Sequence, residues 1–331
     1  MGKKVWMEWS LPPDLLPQIS GLAEYVDDGD MEKLRGSTVI SGIRRYYDGE
    51  FMDRVGPELV QIAKPGIGVD NIDLEAATSR GILVCNTPDA PSESTAEHAV
   101  ALLMAVAKRV IVGDMQLRGA ADIGREAMLG TELMGSSLGI VGFGRIGRRV
   151  AEMTALGIRM NVTIYDPLLP GDFELPEGVS RTDDLDAIFA ENQFVTLHTP
   201  LLPETRHLAN ERRLRLMKRG GYLINASRGG VLDEAALIKV LQEGHLAGAA
   251  LDVFDPEPPL ADNSLLKMKN VVITPHIASY TDAGMAAMQA GTVENIVKVL
   301  KGERPRWIAN PEAWPGRTER ASTRQRQGCE L

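Results

Sequence analysis

The sequence predicts an α/β protein of two doubly wound domains, and three observations carry that expectation. Short apolar, β-branched runs alternate with helical patterns along almost the whole chain, which is the signature of βαβ units and parallel sheets. At 331 residues the chain is too long for one ordinary core. A glycine-rich turn, "LGIVGFGRIGRRVAEM", lies mid-chain between an apolar run and a helical pattern.

Taken in order, "KVWMEW" reads as a first strand and "LVQIA" (59–63) as another. "GILVCN" (81–86) is a third, after the amphipathic stretch "DLEAATSR". "SESTAEHAVALLMAVAKRVIV" follows as a long, mostly apolar helix, with Ser94 and Glu97 in a capping-box pattern at its start. Residues 118–137 lack periodicity and read as a connection. From Leu138 the alternation resumes through "LGIVG", "NVTIYD", "FVTLH", "YLINAS", "AGAALDVF" and "NVVITP". Between the last strands lies a helix capped by Asp233 and closed by Gly244. A long helix over about 281–300 ends before Gly302, and 312–331 read as a flexible polar tail. The expected domains are 1–98 with 282–331, and 99–281.

Composition excludes several classes. The net charge is −9, and a nucleic-acid or anionic-membrane partner would want a basic surface. Cys85 and Cys329 make neither a disulfide framework nor a metal-ligand set, so no metal is expected. The N-terminus has no apolar signal-peptide core, and the longest apolar run, "AVALLMAVA", is too short to span a bilayer. A cytoplasmic protein is the expectation.

Gly142, Gly144 and Gly147 stand in G-x-G-x-x-G spacing after a strand and at the start of a helix, the context that gives the pattern meaning. The first glycine permits a tight turn and the second lets backbone approach a pyrophosphate. The third lets helix pack on strand, with the helix N-terminus facing the anion. Asp166, ending "NVTIYD", lies 24 positions after Gly142, where a carboxylate binds the adenosine ribose and repels a 2′-phosphate. NAD is therefore expected over NADP, with Gly142, Gly144, Arg145, Ile146, Gly147 and Asp166 binding it. An alternative reading of Asp166, a turn or cap residue before Pro167, stays open.

Three further residues stand just past apolar strands, where ligands bind in open α/β sheets. Arg228 precedes two glycines and offers a planar fork to a carboxylate. Glu257 sits between Pro256 and Pro258, so its place is set by something other than regular structure. His276 follows Thr274 and Pro275; taken alone, a histidine there is more often structural than catalytic.

Five stretches, "GIGVDNIDLEAATSRGILVCNTP", "STAEHAVALLMA", "LGIVGFGRIG", "INASRGGVLDEAAL" with "ALDVFDPEPPL", and "NVVITPHIAS", occur in the order found in the D-isomer-specific 2-hydroxyacid dehydrogenases. The chain resembles that family over about 59–311. The resemblance implies a Rossmann cofactor domain, a flavodoxin-like substrate domain, NAD as cofactor and a homodimer. It implies that Arg228 grips the substrate carboxylate, that His276 is the acid/base, and that Glu257 hydrogen-bonds the imidazole and favours its protonated form. Asp252 would orient the nicotinamide carboxamide. Thr95, His198, Thr199 and Pro200 would border the cofactor, and the amides of Ile67, Gly68 and Val69 would bind the carboxylate. His98, His207 and His245 are given no role.

Formate dehydrogenases look similar but carry glutamine in place of Glu257, so the carboxylate points to a 2-hydroxyacid. Asp89 departs from a glycine common in the family and a tryptophan common in 118–130 is absent; the expectation is a short form of the family without a regulatory domain after 311. Glyoxylate and hydroxypyruvate are the first expected substrates, and the 3-phosphoglycerate/3-phosphohydroxypyruvate pair the second. Arg44, Arg45, Tyr46 and Tyr47 are candidates for contact with the substrate side chain or its phosphate. The rival reading is a non-enzymatic, NAD(H)-sensing co-repressor-like protein.

Overall fold

Among the described residues each strand is a run of three to six residues, short enough that pairing and burial, rather than local propensity, decide its limits. The structure is a computed structural model and describes residues 2–27, 31–42, 45–119 and 124–314. It divides into two units, Met1–Pro91 with Asp282–Leu331, and Ser92–Thr281. The whole of the apolar helix that opens at Ser92 thus belongs to the second unit, whereas the sequence pattern had put the boundary after 98.

The first unit holds strands β1 (Lys4–Met7), β2 (Glu24–Val26), β3 (Val39–Ser41), β4 (Gln61–Ala63) and β5 (Leu83–Cys85). They form a parallel sheet in the order β2-β1-β3-β4-β5, the flavodoxin-like arrangement. Its helices are α1 (Leu16–Ser20), α2 (Gly49–Val55), α3 (Leu74–Ser79) and, from the far end of the chain, Asp282–Lys301. Alternation along each strand sorts residues to the two faces. Trp6, Ile40, Ile62 and Val84 pack with Phe51, Met52 and Ala77 of α2 and α3. Val5, Met7, Val39 and Ala63 pack with Val293, Ile296 and Leu300 of the last helix. β2 and β3 were not picked out in the sequence, whereas β4 and β5, equally short, lie within the longer apolar runs "LVQIA" and "GILVCN".

The second unit carries β6 (Ser137–Val141), β7 (Asn161–Tyr165), β8 (Val179–Arg181), β9 (Phe194–Leu197), β10 (Gly221–Asn225), β11 (Leu246–Leu251) and β12 (Val271–Ile273). All pairings are parallel, in the order β12-β11-β10-β9-β6-β7-β8. The chain winds outward from β6 in one direction and from β9 in the other, so β6 and β9 flank the point where strand order reverses. In such sheets ligands bind at that point, beyond the strand carboxyl ends. Helices α4 (Ser92–Ala107), α5 (Val110–Leu117), α6 (Arg145–Glu152), α7 (Leu185–Glu191), α8 (Glu211–Leu216) and α9 (Glu234–Gln242) complete the unit, and the last helix is α10. Leu138, Ile140, Phe194 and Ile224 face α4 and α6, while Val141, Val195, Leu197 and Leu223 face α7, α8 and α9.

Two local details differ from the sequence pattern. Helix α4 starts at Ser92, two residues before Ser94, and the Ser94 hydroxyl bonds the Thr281 hydroxyl at 2.7 Å instead of capping a helix. Arg109 adopts φ 56°, a left-handed conformation that breaks the expected single helix into α4 and α5. No helix among the described residues is long and apolar enough to cross a membrane.

Candidate active site

The glycine turn follows β6 at the switch point, and each glycine has a distinct reason to be there. A Cβ on Gly142, whose φ is 94°, would stand 2.7 Å from the His198 carbonyl oxygen of the loop after β9. A Cβ on Gly147 would stand 2.1 Å from the Gly142 oxygen, so helix α6 packs against the turn only with glycine here. A Cβ on Gly144 would meet nothing within 4 Å. Neither packing nor backbone strain demands glycine there, and the open space fits a ligand lying against the chain at the start of α6. First-turn amides of a helix have no intrahelical acceptor and are a ready anion site. Gly144 and Arg145 are exposed and Ile146 is half-buried at that end.

Asp166 follows β7 and caps the same turn. Its Oδ2 accepts the Phe143 amide at 2.8 Å, and its Oδ1 accepts the Leu168 amide at 2.9 Å. The carboxylate thus does what a turn cap does, and also fixes the second residue of the glycine turn. Across the switch point, His198 Nε2 pairs with the Thr196 hydroxyl at 2.9 Å. Its Nδ1 and the Thr199 hydroxyl are buried without partners among the described residues, polar atoms left for a ligand at this edge. Burial lowers the His198 pKa to about 4, so the ring is neutral at working pH. Pro200 is exposed beside them, and Thr95 is buried in the first turn of α4. The glycine turn, the orphaned polar atoms and Asp166 together suit a dinucleotide.

At the other side of the sheet the carboxyl ends of β10, β11 and β12 lie side by side. Arg228 is three residues past β10; its carbonyl accepts from the Asn225 side chain at 2.9 Å, and its Nη1 donates to the Ser227 carbonyl at 2.7 Å. The next residue could only be glycine, since a Cβ on Gly229 would lie 1.9 Å from the Phe254 carbonyl oxygen. That contact clamps the arginine loop onto the Phe254–Glu257 loop. Glu257 Oε1 meets His276 Nδ1 at 2.5 Å, and both side chains are about two-fifths exposed (40% and 42%). With Nδ1 engaged, Nε2 is the ring atom left for a substrate oxygen.

His276 has φ 54°, a conformation that costs a non-glycine residue about 1 kcal/mol or more and persists only where the surroundings impose it. Asp252 imposes it. Its carbonyl accepts the His276 amide at 2.8 Å. Its fully buried carboxylate accepts the amides of Ile277 at 2.9 Å and Ala278 at 3.0 Å, and the Thr274 hydroxyl at 2.6 Å. His98 Nε2 lies 3.4 Å from the same carboxylate and 3.0 Å from the Thr274 oxygen. Burial pushes the Asp252 pKa up, but these donors outweigh it and hold the group below the ordinary carboxylate value.

In the first unit, the loop after β4 contains the three amides singled out in the sequence. Ile67 accepts the Asn86 side-chain amide at 2.7 Å, and Gly66 has φ 95°. Among the described residues the N–H groups of Ile67, Gly68 and Val69 donate to nothing, though all three are half-buried. Consecutive amides without an acceptor are the kind of group that can take an anion.

The model of the D-isomer specific 2-hydroxyacid dehydrogenase NAD binding domain matches residues 100–278. The chain belongs to the D-isomer specific 2-hydroxyacid dehydrogenase family. Members are oxidoreductases that use a nicotinamide cofactor, and residues 100–278 are the family's NAD binding domain. A glyoxylate reductase of Korarchaeum cryptofilum is 44% identical over 259 residues, 77% of each protein. A D-3-phosphoglycerate dehydrogenase of Methanocaldococcus jannaschii is 39% identical over 290 residues, 87% of this chain and 53% of that protein. The chain therefore spans about half the length of that relative. The crystal structure of D-lactate dehydrogenase from Aquifex aeolicus complexed with NAD and lactic acid has a TM-score of 0.79 at 31% identity. It covers 95% of this chain and 98% of that one.

Family sequence motifs pick out Arg228, Glu257 and His276, but not the groups that hold them. His98 was read as structural and Thr274 not at all, yet both bear on Asp252. The only signal was that His98 lies inside "STAEHA", one helical turn from Thr95. Arg44 lies outside the described residues. Among its neighbours, Arg45 approaches Glu8 at 3.5 Å, Tyr46 is exposed, and Tyr47 is buried with its hydroxyl unpartnered.

Proposed function

We propose that this chain reduces a small 2-oxo acid to its D-2-hydroxy acid, and runs the reverse reaction, with NAD(H). The observation that carries the reading is the Glu257–His276 contact at 2.5 Å, at the strand end beside the Arg228 loop. When bound, the nicotinamide gives or takes the hydride. Arg228 binds the substrate carboxylate and polarises the C2 oxygen as negative charge develops there. His276 Nε2–H gives its proton to that oxygen in reduction, and neutral Nε2 takes it back in oxidation. Glu257, accepting from Nδ1–H, orients the ring and fixes the proton on that nitrogen. The free amides of Ile67, Gly68 and Val69 bind a carboxylate. Gly142, Gly144, Arg145, Ile146 and Gly147 receive the pyrophosphate, with Thr95, His198, Thr199, Pro200 and Asp252 bordering the cofactor. Asp166 favours NAD over NADP.

Glyoxylate and hydroxypyruvate are the proposed substrates, ahead of 3-phosphohydroxypyruvate. The exposed apolar side chains of Met104, Val110, Ile111 and Leu117 on α4 and α5 support a homodimer, testable by sedimentation. A cytoplasmic location is proposed as well, in keeping with a chain whose two cysteines make no disulfide framework. The deciding experiment measures oxidation of NADH and of NADPH with those three acids. Turnover with NADH on at least one acid is expected. Tight NADH binding with no turnover on any of them would overturn the reading in favour of a nucleotide-sensing protein.

A further inference from the structure

We propose that His98 is a positioning residue for His276, acting through Thr274 and Asp252; this rests on His276 being the acid/base. The direction of the bonds follows from counting protons. A threonine hydroxyl has one, and the Thr274 hydroxyl gives it to Asp252 Oδ1 at 2.6 Å. Its oxygen must therefore accept from His98 Nε2, 3.0 Å away, which fixes the proton on that nitrogen. The same N–H also points towards Asp252 Oδ1 at 3.4 Å. His98 thus holds the Thr274 rotamer and adds a donor to a carboxylate that is fully buried.

Among the described residues the donors to Asp252 are neutral amides, a hydroxyl and this imidazole. Every backbone amide donor of residues 274–278 is tied to Leu251 or Asp252. The Thr274 amide donates to the Leu251 carbonyl at 2.9 Å, the His276 amide to the Asp252 carbonyl, and the next two amides to the Asp252 carboxylate. Within this frame His276 is held at positive φ and against Glu257. Without His98 the hydroxyl is free to turn, the carboxylate loses a donor, and the loop relaxes from the strained conformation. A displacement of about 1 Å at a proton donor costs on the order of 100-fold in rate.

The test uses the full chain and its reaction with NADH. His98→Ala is expected to lower kcat about 10- to 100-fold while NADH affinity stays within about 3-fold. His98→Gln, which keeps an N–H of similar reach, is expected to restore most of kcat. Thr274→Val should reproduce the loss and Thr274→Ser should not. Because both changes cut one chain of bonds, the double variant His98→Ala/Thr274→Val should be little worse than the poorer single variant. Additive losses, wild-type kcat in folded His98→Ala, or a kcat that falls only with the folded fraction would each overturn the proposal. His276→Gln is measured alongside. If it turns over at the wild-type rate, the reading of the active site fails; if it is inactive while His98→Ala is not, only the inference about His98 fails.

Discussion

Asp252→Asn tests how much of the active-site loop is held by one buried carboxylate. The amide replaces one oxygen with an NH2 group, and its orientation follows from the donors it faces. At Oδ1 the NH2 would meet three donors, from Thr274, Ile277 and His98; at Oδ2 it meets only the Ala278 amide. Asparagine therefore adopts the second orientation, where its NH2 group faces the Ala278 N–H with no acceptor between them, at a cost of at least about 1–3 kcal/mol. The other three bonds lose a charged acceptor, worth about 1 kcal/mol each. Relief from burying a charge returns part of that sum, leaving a net loss of about 3 kcal/mol. For a unit of this size that lowers Tm by about 6–12 °C. The pH dependence has a definite sign. The Asp252 pKa is lowered in the folded state, so its stabilisation is complete above the unfolded value, near about 3.9. It is lost as pH falls through the lower folded value. Thermal unfolding of the two proteins, followed by circular dichroism between pH 8 and pH 4, should show a constant gap that begins to narrow only near the acid end. Equal midpoints, or a gap that widens as pH falls, would refute the reasoning.

Gly144→Ala is expected to leave Tm unchanged while weakening NADH at least 10-fold by calorimetric titration, because the new methyl group meets no protein atom. Gly147→Ala should instead lower Tm, since its Cβ would lie 2.1 Å from the Gly142 oxygen. Arg228→Ala should cut kcat/KM for the 2-oxo acid by about 1000-fold or more, the scale of a lost transition-state charge contact, with NADH affinity unaltered; loss of cofactor binding would mean the residue is misplaced. His198, lowered to about 4 by burial, stays neutral while its unfolded counterpart gains a proton below about 6.5. The unfolded state then binds more protons, so His198 costs stability as pH falls from about 6.5 towards 4, and its ring resonances by NMR should not titrate between pH 5.5 and 9.

What the sequence made legible was the chemistry whose residue types and spacing are dictated by one local turn. Gly142, Gly144 and Gly147 are spaced by the geometry of a strand–turn–helix, so the pattern can be read without the fold. Asp252 is the opposite case. Its partners come from residues 98, 274, 277 and 278, separated by most of a domain in sequence, and nothing local marks an aspartate as the anchor of a distant loop. Gly229 shows the same limit. It reads as half of a flexible pair, yet a backbone carbonyl from residue 254 leaves no room for any side chain there. Asp166 lies between these extremes. The sequence could not separate turn cap from ribose ligand, and its bonds to Phe143 and Leu168 show the cap plainly.

The meeting of Glu257 with His276, and of the Arg228 loop with the Phe254–Glu257 loop, is a consequence of strand register. Asn225 pairs with Leu251, and Leu251 with Ile273, so the three strands stop in line. A few residues further on, their loops have nowhere to go but toward one another. A slip of one residue in β12 would do more than shift His276 by about 3.3 Å. It would exchange the faces of Val272 and Ile273, taking Val272 out of the core against α4, where it is buried. It would also carry Thr274 out of reach of the Asp252 carboxylate. Core packing and the Glu257–His276 geometry therefore reject the same slip, and a three-residue strand suffices to aim the His276 imidazole because the residues before and after it are pinned to β11.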